Sequence, residues 1–101
     1  MVKNNPLTFR LSAHSKRDLE AIFTYTVQNF GLDQASFYVS SFDESFVALT
    51  INPLKGKIQD DLKRGLLSIR HKEHLIFYRI KPKTIWIVRI LHGSRDFIRH
   101  L

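Results

Sequence analysis

The chain has 101 residues, 44% hydrophobic and 25% charged, which fits one small globular domain over residues 1–101 rather than a disordered segment. Sixteen Lys and Arg against nine Asp and Glu leave a net charge of +7, which favours an acidic partner: nucleic acid, an anionic surface or an acidic protein segment. The absence of cysteine excludes disulfides, thiolate nucleophiles and zinc–cysteine sites. No apolar run is long enough to read as a signal peptide or a membrane span, so a cytoplasmic protein is expected.

Leu7 to Leu11 alternates, with Leu7, Phe9 and Leu11 on one side and Thr8 and Arg10 on the other, which is a strand pattern. Ser12 or Ser15 then offers a helix N-cap, with Asp18 three residues after Ser15. Leu19, Ile22, Phe23, Val27 and Phe30 follow at helical spacing, and Gly31 is a C-terminal stop. Asp33 can cap a second helix whose apolar stripe is Ala35, Tyr38, Val39, Phe42, Phe46 and Leu49. Asn52-Pro53 ends it, because the residue before proline avoids the helical region. With only Gly31 and Leu32 between them, the two helices should form an antiparallel hairpin.

Residues 53–65 are a polar connection with room for a helical turn near Gln59 to Lys63. Gly65 to Arg70 reads as a strand and His71-Lys72-Glu73 as a turn. His74 to Ile80 and Ile85 to His92 are dense in β-branched and aromatic residues, and pair as a hairpin around Lys81-Pro82-Lys83. Ser94 to Leu101 can make a last helical turn. The expected fold is α+β: an N-terminal strand, an antiparallel helical hairpin, then a three-stranded antiparallel meander, with the helices on one face of the sheet.

A closing hairpin centred on Pro82-Lys83 sets Lys81 opposite Thr84, Arg79 opposite Trp86, Phe77 opposite Val88 and Leu75 opposite Ile90. A one-residue slip would exchange the two faces of a strand. In this register an isoleucine-rich face, with Ile76, Tyr78, Ile80, Ile85, Ile87, Arg89 and Leu91, covers the helices. The other face, with Phe77, Arg79 and Trp86, is too apolar to leave in water. It calls for the tail, a second copy or a partner to cover it. Arg79 over Trp86 would form a cation–π pair. Its alternative is an arginine that merely snorkels from the sheet. The five histidines lack the spacing of a known metal site. The four glycines form no phosphate-cradling loop, so neither a metal nor another cofactor is expected.

The phrases His74-Leu-Ile-Phe-Tyr-Arg79, Ile87-Val-Arg-Ile-Leu-His92 and Arg95-Asp96 carry a resemblance. So do Asp18-Leu19, Ile22, Tyr25 and Phe30-Gly31 in the first helix, Gln34-Ala35 and Tyr38 in the second, and Asn52-Pro53 with Gly56 after it. Together, from about Leu11 to Asp96, the chain resembles the ParE branch of the RelE/ParE superfamily of bacterial toxins.

The resemblance implies the toxin half of a type II toxin–antitoxin pair, of the kind that serves plasmid stabilisation. ParE members poison DNA gyrase and block replication. RelE members cut messenger RNA in the ribosomal A site. The shared fold does not choose between them. RelE chemistry draws on an arginine early in the third strand of the meander-bearing sheet, where this chain has Leu75, so no catalytic residue is assigned and a non-enzymatic gyrase inhibitor is expected. The alternative is a ribosome-dependent endoribonuclease, which Arg70, His71, His92, Arg95 and His100 could serve.

Candidate target contacts are Arg79, Arg89, His92, Arg95, Asp96 and Arg99. Candidate antitoxin contacts are Phe77 and Trp86, under an acidic, partly disordered segment of a ParD-like antitoxin. Arg95 and Asp96 also have a structural alternative, capping or bracing the tail, and His92 has one too, a hydrogen bond to backbone. Many relatives carry an arginine soon after the glycine of the second strand, where this chain has Leu67. That departure admits a third reading, an inert or retargeted member.

Overall fold

The computed structural model describes residues 7–94 and Leu101. Its elements are β1 (Thr8–Leu11), α1 (Ala13–Phe30), α2 (Leu32–Ile51), a 3-10 turn at Pro53–Lys55, β2 (Lys57–Ile58), β3 (Leu67–His71), β4 (His74–Ile80) and β5 (Thr84–His92). The sheet order is β1-β5-β4-β3-β2, with β1 parallel to β5 and the other neighbours antiparallel. The expected α+β order holds. The expected helical turn at Ser94 to Leu101 falls largely outside the described residues.

Local chemistry explains the helical boundaries. Ser12 is the N-cap of α1: its side-chain oxygen accepts from the Ser15 N–H at 3.0 Å. Gly31, at φ 91°, both closes α1 and opens α2. Its N–H donates to the Val27 carbonyl and its own carbonyl accepts from the Ala35 N–H. One residue therefore links the helices instead of the expected two. Asp33 lies inside the first turn of α2 and makes no side-chain cap bond, because Gly31 already supplies the turn.

Two further differences have physical causes. Lys57–Ile58 forms an unexpected edge strand on β3; two residues are too few to show a period-2 pattern. In the closing hairpin, Arg79 does pair with Trp86. However, Phe77 lies opposite Arg89 and Leu75 opposite Leu91, not Val88 and Ile90. The register shifts between Phe77 and Tyr78, so Val88 is the extra residue of a β-bulge. Beyond it Ile90 turns to the helices and Leu91 to the outer face, the reverse of the expected alternation.

The sheet carries two apolar clusters. On the helix side, Ile22, Phe42, Phe46 and Leu49 pack on Leu67, Ile76, Tyr78, Ile85, Ile87 and Ile90. On the outer side Leu66, Phe77 and Leu91 are buried, with Leu62, Leu75, Val88 and Leu101 against them. The connection before β3 and the chain's last residue thus cover part of the apolar outer face. Tyr78 ties the post-helical connection to the core. Its hydroxyl donates to the Pro53 carbonyl at 2.7 Å and accepts from the Gly56 N–H at 3.0 Å. A Cβ at Gly56 would collide with that hydroxyl and lie 2.7 Å from the Ser68 carbonyl oxygen, so the Asn52-Pro53…Gly56 phrase is a packing requirement.

Tyr78→Phe leaves one carbonyl and one N–H without their partner and is expected to cost about 1–3 kcal/mol of stability. Urea unfolding measures the loss; an unchanged midpoint would contradict the assignment.

Candidate functional site

Asp18, on the inward side of α1, meets β5 just past the bulge, at Arg89 and Ile90. Its carboxylate accepts from Arg89 Nε and Nη2, both at 2.9 Å, and from the Ile90 backbone N–H at 2.8 Å. The side chains of this bidentate pair are 19% and 13% exposed, and the carboxylate pushes the Arg89 pKa up, so the guanidinium stays charged. Nearby, Ser12 donates from its hydroxyl to the Val88 carbonyl at 2.8 Å and from its N–H to the Ile87 carbonyl at 3.0 Å. Strand β1 ends opposite Ile87, and beyond it the start of α1 takes over the backbone groups of β5.

An open groove of about 810 Å³ lies between α1 and this end of the sheet. Asp18, Tyr25 and Phe30 line it from α1, Tyr38 from α2, and His74 and His92 from β4 and β5. Tyr25 and Phe30 are 63% and 67% exposed, so the groove has an apolar rim toward the tip of the helical hairpin.

Behind the groove is a network of neutral imidazoles. The Ser41 hydroxyl donates to the Tyr38 carbonyl at 2.5 Å, so its oxygen accepts from His71 Nε2 at 2.7 Å; His71 Nδ1 then accepts from the Ser45 hydroxyl at 2.8 Å. Burial, then the charge of Lys72, lowers the His71 pKa. The Tyr38 hydroxyl bonds His74 Nδ1 at 2.8 Å, and the His74 and His92 rings meet edge to face at 5.4 Å. Burial first, then His92, holds His74 down to about 4, while burial raises the Tyr38 phenol. His92 is exposed, with its Nδ1 2.8 Å from the Ser94 hydroxyl.

The expected site residues do not form one site. Arg89 and His92 border the groove. Arg79 lies on the outer face near the other end of β4, where Nη1 donates to the Arg64 carbonyl at 2.6 Å. Trp86 is its cross-strand neighbour. The anticipated cation–π pair is absent among the described residues, whose cation–ring contacts are those of Lys72 over Phe37 and Tyr38. Phe77 is 0% exposed within the outer apolar cluster, so the chain itself covers it and it presents no surface to a partner. Arg95, Asp96 and Arg99 lie outside the described residues, as does His100 of the alternative set. Leu67 is buried on the helix side of the sheet, so an arginine there would have to enter this core.

Sequence reasoning missed the Asp18 clamp and the Tyr38–His74 contact. The one signal was the placement of Asp18 a turn before Ile22 on the inward stripe, where a carboxylate needs a partner. Among the described residues, no group of three or more His, Asp or Glu is disposed to hold a metal ion. None of the described helices is long and apolar enough to cross a membrane.

Asp18→Ala strands the Arg89 charge and the Ile90 N–H and is expected to cost about 2–4 kcal/mol in urea unfolding. In a double-mutant cycle with Arg89→Ala, an additive result would contradict the clamp. The His74 shift sets a pH dependence. Between its ordinary 6.5 and about 4 the unfolded chain binds more protons than the native one, so stability falls as pH falls through that window. The loss is up to roughly 3 kcal/mol. His74→Gln is expected to flatten it in unfolding measurements from pH 7 to 4.

The model of the family described as the ParE toxin of the type II toxin–antitoxin system, parDE, matches residues 9–97. Toxin ParE1 of Caulobacter vibrioides is 31% identical over 93 residues, covering 92% of this chain and 96% of that protein. Toxin ParE1 of Mycobacterium tuberculosis is 31% identical over 94 residues, with the same coverage. Among solved structures, a chain of the chromosomal ParDE TA system from P. aeruginosa superposes with a TM-score of 0.76 at 21% identity, covering 88% of this chain and 98% of that one. A chain of the RelBE2 toxin–antitoxin complex from M. tuberculosis gives 0.64 at 25% identity, covering 86% and 98%.

Proposed function

This chain belongs to the ParE toxin family of type II toxin–antitoxin systems, and on that premise we propose that it inhibits DNA gyrase, blocks replication, and is neutralised in the cytoplasm by a ParD-like antitoxin. The match along residues 9–97 carries this reading. The filling of the sheet's outer face supports its non-catalytic form. Leu75, at the place where RelE chemistry draws an arginine, packs with Leu66, Phe77 and Leu91. A leucine there can neither neutralise a phosphate nor move a proton. The mechanism is adhesion. The toxin holds one state of a large target, and its effect equals its differential affinity for that state. Arg79 and His92 are the described contacts we assign to the target, with Arg95, Asp96 and Arg99 from the tail. Arg89 is held by Asp18 and contributes by shaping the groove.

The antitoxin contact follows from surface chemistry. Tyr25 and Phe30 stand largely exposed on the rim of the groove, with Leu32 and Phe37 exposed at the same end of the helical hairpin. An amphipathic acidic segment would cover this apolar surface and offset the +7 charge. Trp86 remains a second antitoxin candidate on the outer face; Phe77 does not.

A second reading, a ribosome-dependent endoribonuclease, rests on one observation: an exposed His92 ring set edge to face against the His74 ring at 5.4 Å beside the groove, two imidazoles where proton-transfer chemistry would need them. One experiment separates the two. Purified protein with gyrase, ATP and supercoiled DNA is expected to accumulate cleaved DNA, His92→Ala to do so about tenfold less potently, and added antitoxin to suppress it. Transcripts cut at defined codons on translating ribosomes, with gyrase unaffected, would overturn the gyrase reading and establish the second.

A further inference from the structure

The outer face carries a feature that neither apolar cluster absorbs. Strands β1, β5 and β4 are consecutive in the sheet, and their register sets Arg10 beside Trp86 and Trp86 beside Arg79. Ile85 and Ile87, flanking Trp86, point into the helix-side core, and so do Phe9 and Leu11, flanking Arg10. Period-2 alternation therefore puts Arg10, Trp86 and Arg79 together on the outer face. Two inter-strand spacings separate the arginine backbones, about 10 Å.

Trp86 is the chain's single tryptophan and is half-buried. Among the described residues it packs in neither apolar cluster and makes no ring stack or cation contact. Arg10 is exposed, and Arg79 uses Nη1 on the Arg64 carbonyl. More positive charge stands at this end of the sheet, with Lys81 and Lys83 in the turn after β4 and Arg64 beside Arg79. Of the acidic residues in the neighbouring connection, Asp60 has Oδ1 on the Gly65 N–H at 2.9 Å, and Asp61 follows it in sequence.

A partly exposed indole with an arginine on each neighbouring strand has a specific complement. The indole face accepts a planar base, and the flanking cations accept the phosphates on either side of it. An acidic peptide would match the charges but has no need of the aromatic platform. We infer that the Arg10–Trp86–Arg79 row is a binding site for single-stranded nucleic acid, with one base stacked on Trp86 and its neighbouring phosphates on Arg10 and Arg79. The site lies away from the histidine groove; it shares Arg79 with the target contacts proposed above, and its occupant is the same whether gyrase or the ribosome is the target.

The single tryptophan is its own reporter. Titrating the purified protein with a fluorescein-labelled oligothymidylate is expected to quench Trp86 emission in step with the rise in anisotropy. Raising salt from 50 to 200 mM is expected to weaken binding about sevenfold for two phosphate contacts. Arg10→Ala and Arg79→Ala should each weaken binding and lower the salt slope by about 0.7. Trp86→Ala should weaken it about five- to 150-fold, the range of one lost base stack. Trp86→Phe, which keeps an aromatic ring, should fall between Trp86→Ala and the wild type.

Lys16→Ala with Arg17→Ala, removing two exposed charges from α1, should change affinity less than twofold. Circular dichroism checks each fold, and the two arginine variants decide the matter if Trp86→Ala does not fold. No binding, binding without quenching, equal weakening by the α1 variant, or displacement by polyglutamate at matched charge would each overturn the assignment.

Discussion

The carboxylate of Asp18 decides how β5 is built. β5 is the strand on which both faces of the sheet depend, since it lies between β1 and β4 and contacts α1. A regular strand would alternate from Ile85 to His92 and put Arg89 and Leu91 on the helix side. The bulge at Val88 adds one residue and reverses the alternation after it. Such an irregularity removes backbone groups from the ladder, and they need other partners. Ser12 accepts none of this burden alone: it serves the carbonyls of Ile87 and Val88, while Asp18 takes the Ile90 N–H and the guanidinium of Arg89. The start of one helix thus continues the work of the strand preceding it.

The consequences reach both faces. With Ile90 turned inward, the helix-side core gains an isoleucine and closes against Ile22 and Phe42. With Leu91 turned outward, the outer face gains a leucine that joins Phe77 and Leu66. That second cluster is buried because the connection before β3 and Leu101 lie on it. His92 is left exposed beside His74, and the groove opens where the clamp holds α1 against the strand end. Burial keeps His74 neutral near physiological pH, so the groove sets aromatic and imidazole surface beside the Asp18–Arg89 pair.

Much of this was legible in the residues. The apolar stripes of the helices, the proline stop at Pro53 and the two β-branched runs led to the right element order, because each signal is local and periodic. The Arg79–Trp86 pairing was legible from the turn, whose short length fixes register near the tip of a hairpin. The bulge was not, since Val88 carries no local mark and its cause lies about seventy residues away in Ser12 and Asp18. Nor was the burial of Phe77, which depends on Leu62, Leu66 and Leu101 arriving from elsewhere. The histidine network was hidden for the same reason: Ser41, Ser45 and Tyr38 meet His71 and His74 only after the helical hairpin folds onto the sheet. The groove half of the site was thus visible as residue types and invisible as geometry.

Charge placement links the fold to the proposed adhesion. Asp18 is committed to an internal contact with β5, and Asp60 to the Gly65 backbone. The Asp18 charge is spent on Arg89 and does little to neutralise the outer sheet face, where Arg10 and Arg79 flank Trp86, whereas Asp60 keeps its charge in the connection that Arg79 meets. The opposite side has a different character, with exposed aromatic rings at the end of the helical hairpin beside a groove lined by Tyr38, His74 and His92. One small domain therefore offers an apolar surface suited to an amphipathic protein segment and a cationic one suited to a polyanion. Because the two surfaces lie on opposite sides of one rigid sheet, an antitoxin on the first need not compete directly with a polyanion on the second. Neutralisation would then act by denying the protein target the groove-side contact at His92, while Arg79 and the other cations of the outer face stay uncovered.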